Sequence, residues 1–354
     1  MSESGTETAL RQPLDMAAFS QWLDRHAPQI GGAEVQLKRL SGGSSFGVFE
    51  VSRGAGHAVL RMPSWPPRPD ALKAMGREAK ILRALGQTDV PHPRLLGYEP
   101  DETAVGVSVT LLEFVDGWLG SSTPPPAFNQ PGQRREGLAF ALIDAIARLG
   151  KVDYKAVGLE DLGRPEGFLD RQVDRWQSHF ENYKKTYDHP GRELPGRNYV
   201  ADWLRANKPE MQKVSLVHLD CSFPNVMFAN EPPARVKAII DWEIATIGDP
   251  LLDLGRAVYA LPGRRVGAGK NSMSDNSDMP TREDLAERYA ELTGLDVSHL
   301  DYYCVLAAFK LAIIIEFNYY RVALGIDSSE VARQVSDYIP EIMAFAESVA
   351  RSAG

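Results

Sequence analysis

The 354-residue chain is 44% hydrophobic, so it can bury a large core and is long enough for two lobes or domains. Its net charge of -8, with no dense basic stripe, excludes the nucleic-acid binders that depend on a cationic field. Two cysteines, Cys221 and Cys304, supply neither a disulfide framework nor metal-ligand spacing, which points to a reducing, cytoplasmic setting.

Residues Met1 to Pro13 are polar and hold no apolar run of the kind a secretory signal needs. Asp15 to His26 carries Phe19, Trp22 and Leu23 at helical spacing, predicting a short helix capped near Asp15. Val35 to Leu40 and Gly47 to Val51 alternate like two strands, joined by Ser41-Gly42-Gly43-Ser44-Ser45-Phe46. Glycines let backbone N–H groups approach a phosphate closely, and the hydroxyls of Ser44 and Ser45 add donors. The hairpin is thus a candidate phosphate cover, with a plain turn as the alternative. The same run reads as G-x-S-x-G, the nucleophile elbow of serine hydrolases centred on Ser45. Too few strands precede Ser45 to build the doubly wound sheet that carries an elbow, and no recognisable Asp and late His complete a triad.

His57 to Arg61 reads as a third strand and Asp70 to Leu85 as a helix bearing Arg77 and Glu78. Taken alone, Arg61 is a snorkelling surface residue and Glu78 part of a solvated helix face. Val90-Pro91-His92-Pro93 is an extended connection, and Val105 to Val115 two strand segments ending at Gly117. Beyond this point the pattern becomes helical, over Arg134 to Leu149, Phe168 to Tyr183 and Tyr199 to Asn207. The domain boundary falls there, with a β-rich part at 1–115 and a mainly helical part at 116–354.

The chemistry concentrates in His218-Leu219-Asp220-Cys221-Ser222-Phe223-Pro224-Asn225, bracketed by the apolar runs Ser215 to Val217 and Val226 to Phe228. A further β-branched run, Val236 to Ile240, leads into Asp241-Trp242-Glu243. Short strands joined by a tight loop put Asp220 and Asn225 in one loop and Asp241 at the end of the next strand. Phosphoryl transfer needs an acceptor for the hydroxyl proton and hard oxygen ligands for Mg2+; Asp220 fits the first role, Asn225 and Asp241 the second. His218 reads as a loop-orienting residue, Cys221 as a small buried side chain, and Asp249 and Asp253 as structural supports of the loop after Asp241.

Downstream, Pro262 to Pro280 reads as a mobile loop containing Arg264, Arg265 and Lys270, which suit an anionic ligand or a solvated surface equally. Thr281-Arg282-Glu283-Asp284 suits a capping box for a helix to Leu292. Helices over Leu300 to Leu324 and Ser328 to Ser348 close the chain. The most apolar segment, Val305 to Phe317, is interrupted by Lys310 and Glu316 and is shorter than the ~20 residues that span a bilayer, so it predicts a core helix and no membrane partner. Tyr302, Tyr303, Lys310, Glu316 and Tyr320 are possible acceptor contacts, each read more readily as core or surface.

The H-x-D-x-x-x-x-N pattern, followed by D-W-E and by Gly248-Asp249-Pro250-Leu251-Leu252-Asp253-Leu254, resembles the catalytic and metal-binding loops of the aminoglycoside phosphotransferase family, a branch of the protein-kinase-like fold. Gly163-Arg164-Pro165-Glu166-Gly167-Phe168-Leu169-Asp170-Arg171-Gln172 is similar to a run of one branch, the phosphotransferase domains fused to acyl-CoA dehydrogenases. The resemblance covers about Leu40 to Gly325. It implies an α+β, two-lobed protein-kinase-like fold with a small β-rich N-lobe and a larger, mainly helical C-lobe. It also implies transfer of the γ-phosphate of ATP, with Mg2+, to a hydroxyl of a small molecule.

In that setting Asp220 is catalytic and Asn225 and Asp241 bind Mg2+. Ser44, Ser45, Arg61 and Glu78 serve the nucleotide phosphates, Glu78 by pairing with Arg61. The hinge backbone at Glu113 and Val115 hydrogen-bonds adenine. The family name implies an aminoglycoside acceptor; the branch implies a hydroxyacyl thioester or another alcohol. Three positions depart from the family pattern: Arg61 stands for the usual lysine, as is common in this branch, Leu219 for a glycine, and Gly150 for a histidine. Arg61 and Leu219 keep open a nucleotide-binding pseudoenzyme that transfers no phosphate.

Overall fold

The computed structural model describes residues 14–40, 46–64, 69–128, 136–260 and 279–353. The chain divides into two compact units, the first comprising Met1–Asp116 with Ile240–Ile244, the second Gly117–Ile239 with Ala245–Gly354. The predicted hairpin residues Ser44 and Ser45 lie outside the described residues, as do Arg264, Arg265 and Lys270 of the predicted loop.

The first unit is built on five antiparallel strands, β1 (Gln36–Arg39), β2 (Phe46–Arg53), β3 (Gly56–Pro63), β4 (Leu95–Glu99) and β5 (Val109–Glu113), in the order β1-β2-β3-β5-β4. Side chains along β2 alternate between buried and half-buried, as a strand with one face on the core requires. Helix α1 (Met16–His26) starts at Asp15, whose carboxylate accepts the N–H groups of Ala17 and Ala18, and places Phe19, Trp22 and Leu23 in the core with Val51, Leu60 and Leu111.

Two elements here differ from the sequence reading. Strand β4 has no counterpart in the sequence reading, whose extended connection ends at Pro93. Gly97 is there because the Trp22 indole occupies its side-chain position: a Cβ would lie 2.5 Å from Trp22 Cη2. Of the two strand segments expected over Val105 to Val115 one forms, β5; Val105 instead ends a short helix, α3 (Glu102–Val105), capped by Asp101 and followed by Gly106 at φ 88°.

Helix α2 (Ala71–Leu85) buries Ala71, Ala74, Met75, Glu78, Leu82 and Leu85, a stripe at three- and four-residue spacing with one carboxylate in it. Glu78 is therefore no part of a solvated face. The segment Ile240–Ile244 belongs to this unit, with Trp242 fully buried.

The second unit is mainly helical. Its helices are α4 (Glu136–Leu149), α5 (Gln172–Thr186), α6 (Arg197–Ala206), α7 (Leu251–Tyr259), α8 (Arg282–Thr293), α9 (Leu300–Ile315), α10 (Phe317–Ala323) and α11 (Glu330–Ser352). Helix α8 begins with the predicted capping box of Thr281 and Asp284. Helix α9 is largely apolar, with Asp301 and Lys310 its charged residues, and packs against α5, α6, α7 and α11, which makes it the axis of the unit. The single helix expected to Leu324 is two, parted at Glu316, a buried carboxylate that Arg192 grips with Nε and Nη2 at 2.9 and 3.0 Å. Two small antiparallel sheets complete the unit: β7 (Ser215–Val217) with β10 (Thr246–Gly248), and β6 (Trp118–Leu119), β8 (Val226–Phe228) and β9 (Val236–Ile239) in the order β6-β8-β9. Among the described residues no helix is long and apolar enough to cross a membrane.

Candidate active site

In the first unit, Arg61 lies on β3, paired across the ladders with Val48 and Thr110. Its guanidinium donates to Glu78 and lies 3.5 Å from an oxygen of Asp241, and the Phe46 ring sits 4.8 Å away. Burial, foremost, raises the Glu78 carboxyl above its usual range. Asp241 and Glu243 add to this, while Arg61 and the Trp242 N–H act against it. Asp241 is more exposed and takes the left-handed backbone conformation at φ 68°, which aspartate tolerates better than most residues. Arg61, Glu78 and Asp241, distant in sequence, are thus one cluster.

The two hinge residues named from sequence stand apart from it. Glu113 ends β5, donates its N–H to the Arg94 carbonyl at 2.9 Å, and receives the Arg94 guanidinium on its carboxylate, with Nε at 3.0 Å. Val115 follows the strand, half-buried, with its backbone outside the ladder.

In the second unit, β7 ends at Val217 and the chain enters the loop 218–225. Asp220 and Asn225 meet there: Asn225 Nδ2 donates to Asp220 Oδ2 at 2.9 Å and to the Asp220 carbonyl at 3.0 Å. With its nitrogen so used, the Asn225 amide presents its oxygen on the other side. The loop is held from α7. Asp253 accepts the N–H of His218 at 2.8 Å and of Leu219 at 2.7 Å, and this anchorage sustains Leu219 at φ 68°. A glycine would adopt that conformation freely; the leucine is held in it by the two bonds to Asp253. Asp253 therefore braces the loop that carries Asp220, not the one after Asp241 as expected. Asp249, just before α7, accepts the Leu251 N–H at 2.9 Å and the Tyr303 hydroxyl at 2.7 Å.

His218 is buried, and its Nδ1 lies 3.3 Å from the Asp220 N–H, which suits a loop-orienting role. Cys221 is buried too, and burial pushes its thiol well above the usual range, in keeping with a small structural side chain. The space beside Gly150 is already taken: a Cβ there would lie 2.8 Å from the Tyr289 hydroxyl and 3.1 Å from Pro250 Cβ.

Two cations beside Asp220 complete the cluster. Arg256, one turn after Asp253 on α7, donates Nε and Nη2 to Asp220 Oδ1 at 2.8 and 2.7 Å. Lys310, on α9, donates to the Leu219 carbonyl at 3.2 Å and lies 5.6 Å from the Trp176 ring centre. Burial alone would raise the Asp220 carboxyl, but Arg256, His218 and Lys310 outweigh it and hold it below the usual range. Lys310 is pushed down to about 8, chiefly by burial, with Arg256 and Arg175 also acting downward against Asp220 and Asp253. Lys310 had been noted as a possible acceptor contact; Arg256 was missed. The signal for Arg256 was an arginine at i+3 from Asp253 in an otherwise apolar helix. Tyr302, Tyr303, Glu316 and Tyr320 are core residues.

The sequence profile of the phosphotransferase enzyme family (APH) matches residues 36–296. Acyl-CoA dehydrogenase family member 11 of Gallus gallus is 28% identical over 351 residues, covering 95% of this chain and 44% of that protein. Its Homo sapiens counterpart is 27% identical over 334 residues, 92% of this chain and 41% of that protein. The chain thus spans less than half the length of these relatives. A crystal structure from Ralstonia eutropha JMP134, provisionally assigned as an aminoglycoside phosphotransferase, is 24% identical with a TM-score of 0.77, covering 96% of this chain and 99% of that one. A choline kinase from Cryptosporidium parvum Iowa II is 11% identical with a TM-score of 0.64, covering 96% of each. Both likenesses establish the two-lobed kinase-like α+β fold expected from the sequence.

Proposed function

The chain belongs to the phosphotransferase enzyme family, and on that premise we propose that it transfers the γ-phosphate of ATP, with Mg2+, to a hydroxyl of a small molecule. What supports this most directly is the loop 218–225, where Asp220 stays ionised between Arg256 and Asn225 with its backbone braced by Asp253. A carboxylate so held can orient a hydroxyl and take its proton as the new bond forms.

Each unit also carries one hard oxygen donor of the kind Mg2+ takes. Asp241 offers a half-exposed carboxylate, and Asn225 an amide oxygen freed by the engagement of its nitrogen. Bound Mg2+ would neutralise charge on the phosphates. Arg61, fixed by Glu78, supplies a fork-shaped cation for the same phosphates, in place of lysine. The hinge backbone around Glu113 and Val115 is assigned to adenine.

For the acceptor, the charges beside Asp220 favour one of the two classes named by resemblance. Arg256 and Lys310 flank it, and Arg175 lies close enough to act on Lys310. A polycationic aminoglycoside would meet repulsion there; a hydroxyacyl thioester carrying anionic groups would not.

The deciding assay is ADP release from Mg-ATP against hydroxyacyl-CoAs, free hydroxy acids and aminoglycosides, with Asp220→Asn as control. Stimulation by the acyl thioesters, absent in the control, is expected. Stimulation by aminoglycosides alone would reject the acceptor class, and silence across the panel would reject transfer.

A further inference from the structure

The carboxylate of Asp220 offers about four acceptor positions, two on each oxygen. Arg256 places Nε 2.8 Å and Nη2 2.7 Å from Oδ1, so both positions on that oxygen are taken by one guanidinium. Oδ2 receives a single donor, Asn225 Nδ2 at 2.9 Å. One position therefore remains, on the oxygen that faces Asn225.

Arg256 is in turn poorly able to move. Every residue of α7 is buried, and Gly255 next to it packs so closely on α9 that a Cβ would lie 2.5 Å from Tyr303 Cβ. Arg256 Nη1 is buried and finds no acceptor among the described residues, so the guanidinium is committed to Asp220. One turn earlier on the same helix, Asp253 grips the N–H groups of His218 and Leu219. A single turn of α7 thus fixes three consecutive residues, 218 to 220.

We propose that Arg256 is a positioning residue for phosphoryl transfer: by filling Asp220 Oδ1 it leaves Oδ2 as the oxygen that receives the acceptor hydroxyl. This deepens, and rests on, the transferase reading above. In the step, the acceptor oxygen bonds to the γ-phosphorus of the nucleoside triphosphate as the bond from that phosphorus to the bridging oxygen breaks. The nucleoside diphosphate leaves with that electron pair, and the hydroxyl proton passes to Asp220 Oδ2. Arg256 touches neither substrate; it sets which oxygen is offered and at what angle.

The test uses Arg256→Ala, Arg256→Lys, Asp220→Asn and the Arg256→Ala/Asp220→Asn double variant of the full chain. Arg256→Ala is expected to lower kcat about 100-fold, as a misdirected catalytic group does, with the nucleotide KM changed less than about threefold. Added guanidinium should restore at least a tenth of the lost rate in Arg256→Ala and none in Asp220→Asn. Arg256→Lys, a point cation that cannot present two parallel donors, should remain impaired. Wild-type kcat in either Arg256 variant overturns the proposal. So does a loss in well-folded Arg256→Ala that guanidinium leaves untouched, and Arg256→Lys carries the kinetic arm should the alanine variant not fold.

Urea midpoints of the wild type and the variants give a readout independent of turnover. The double variant should shift less than the sum of the two single shifts, whereas additivity would show that the two side chains do not act on one another. A wild-type protein that transfers no phosphate, yet shows this non-additivity, rejects the transferase reading and leaves the Arg256–Asp220 pair standing as structure alone.

Discussion

Two arginine–carboxylate pairs, one in each unit, use the same chemistry to opposite ends. Around Glu78 the cation Arg61 faces three acids, Glu78 itself, Asp241 and Glu243, and burial leaves the Glu78 carboxyl shifted upward. Around Asp220 the outcome is reversed: Arg256, His218 and Lys310 outweigh burial and shift the carboxyl downward. The exposures differ as well, 2% for the Glu78 side chain against 37% for Asp220. The difference separates two tasks. On the proposed reading Glu78 holds a cation in place, while Asp220 keeps its charge and one open face for a reactant.

If that division holds, the largest effect belongs to Asp220. Asp220→Asn keeps the shape and removes the charge, and is expected to lower kcat by about a thousandfold or more while leaving Mg-ATP affinity nearly unchanged. Calorimetric titration alongside the ADP-release assay measures both quantities; a variant that turns over normally would remove Asp220 from the chemistry.

The pair in the first unit should answer in stability. Arg61→Met strands a buried carboxylate and is expected to cost about 3 kcal/mol in urea unfolding. The matching change in the second unit, Arg256→Met, should cost only about 1 kcal/mol, because Asp220 is partly solvated and keeps Asn225, His218 and Lys310 nearby. Equal losses from the two substitutions would erase the contrast.

Between these lies Asp253→Asn. Both Asp253 oxygens accept backbone N–H groups, at 2.7 and 2.8 Å, and an amide can accept only one of them. The expected cost is about 2 kcal/mol, accompanied by a lower kcat as Leu219 relaxes from φ 68°. An unchanged kcat in the folded variant would mean that the left-handed turn at Leu219 has no bearing on Asp220.

How much of this was legible in the sequence followed from distance along the chain. Asp220 and Asn225 are five residues apart between two apolar runs, so their meeting in one loop could be read directly. Glu78, read alone as part of a solvated face, lies in a buried stripe with Ala71, Ala74, Met75, Leu82 and Leu85, whose three- and four-residue spacing is the signal that the reading did not use. Arg256 stands 36 residues from Asp220, and no local pattern tells which loop a distant helix will face. Strand β4 was hidden for a similar reason: Gly97 breaks the alternation, and what requires it is the indole of Trp22, 75 residues earlier. Asp253 was correctly seen as a brace, but whether it would reach backward to 218–219 or toward Asp241 depends on the pairing of β7 with β10.

The smallest effect has the opposite sign, and it tests whether the cations around Asp220 serve function at the expense of the fold. Lys310 is held at about 8 against 10.5 for a free lysine, because burial penalises its charge more than Asp220 and Asp253 favour it. Below that value the folded protein carries a disfavoured ammonium. Between about 8 and 10.5 the unfolded chain holds a proton that the folded chain has released, so this group makes stability rise with pH across that window. Lys310→Met removes the ammonium and keeps the packing against Trp176, but gives up the hydrogen bond to the Leu219 carbonyl. The net expectation is a gain of about 1 kcal/mol at pH 7 that vanishes by pH 10, read from urea unfolding at several pH values beside wild type. Activity should fall in the same variant, since Lys310 steadies the carbonyl next to Asp220. A variant that is both more stable and fully active would show that Lys310 is a buried charge without a part in the site; one that is less stable at pH 7 would show that its bond to Leu219 outweighs its burial.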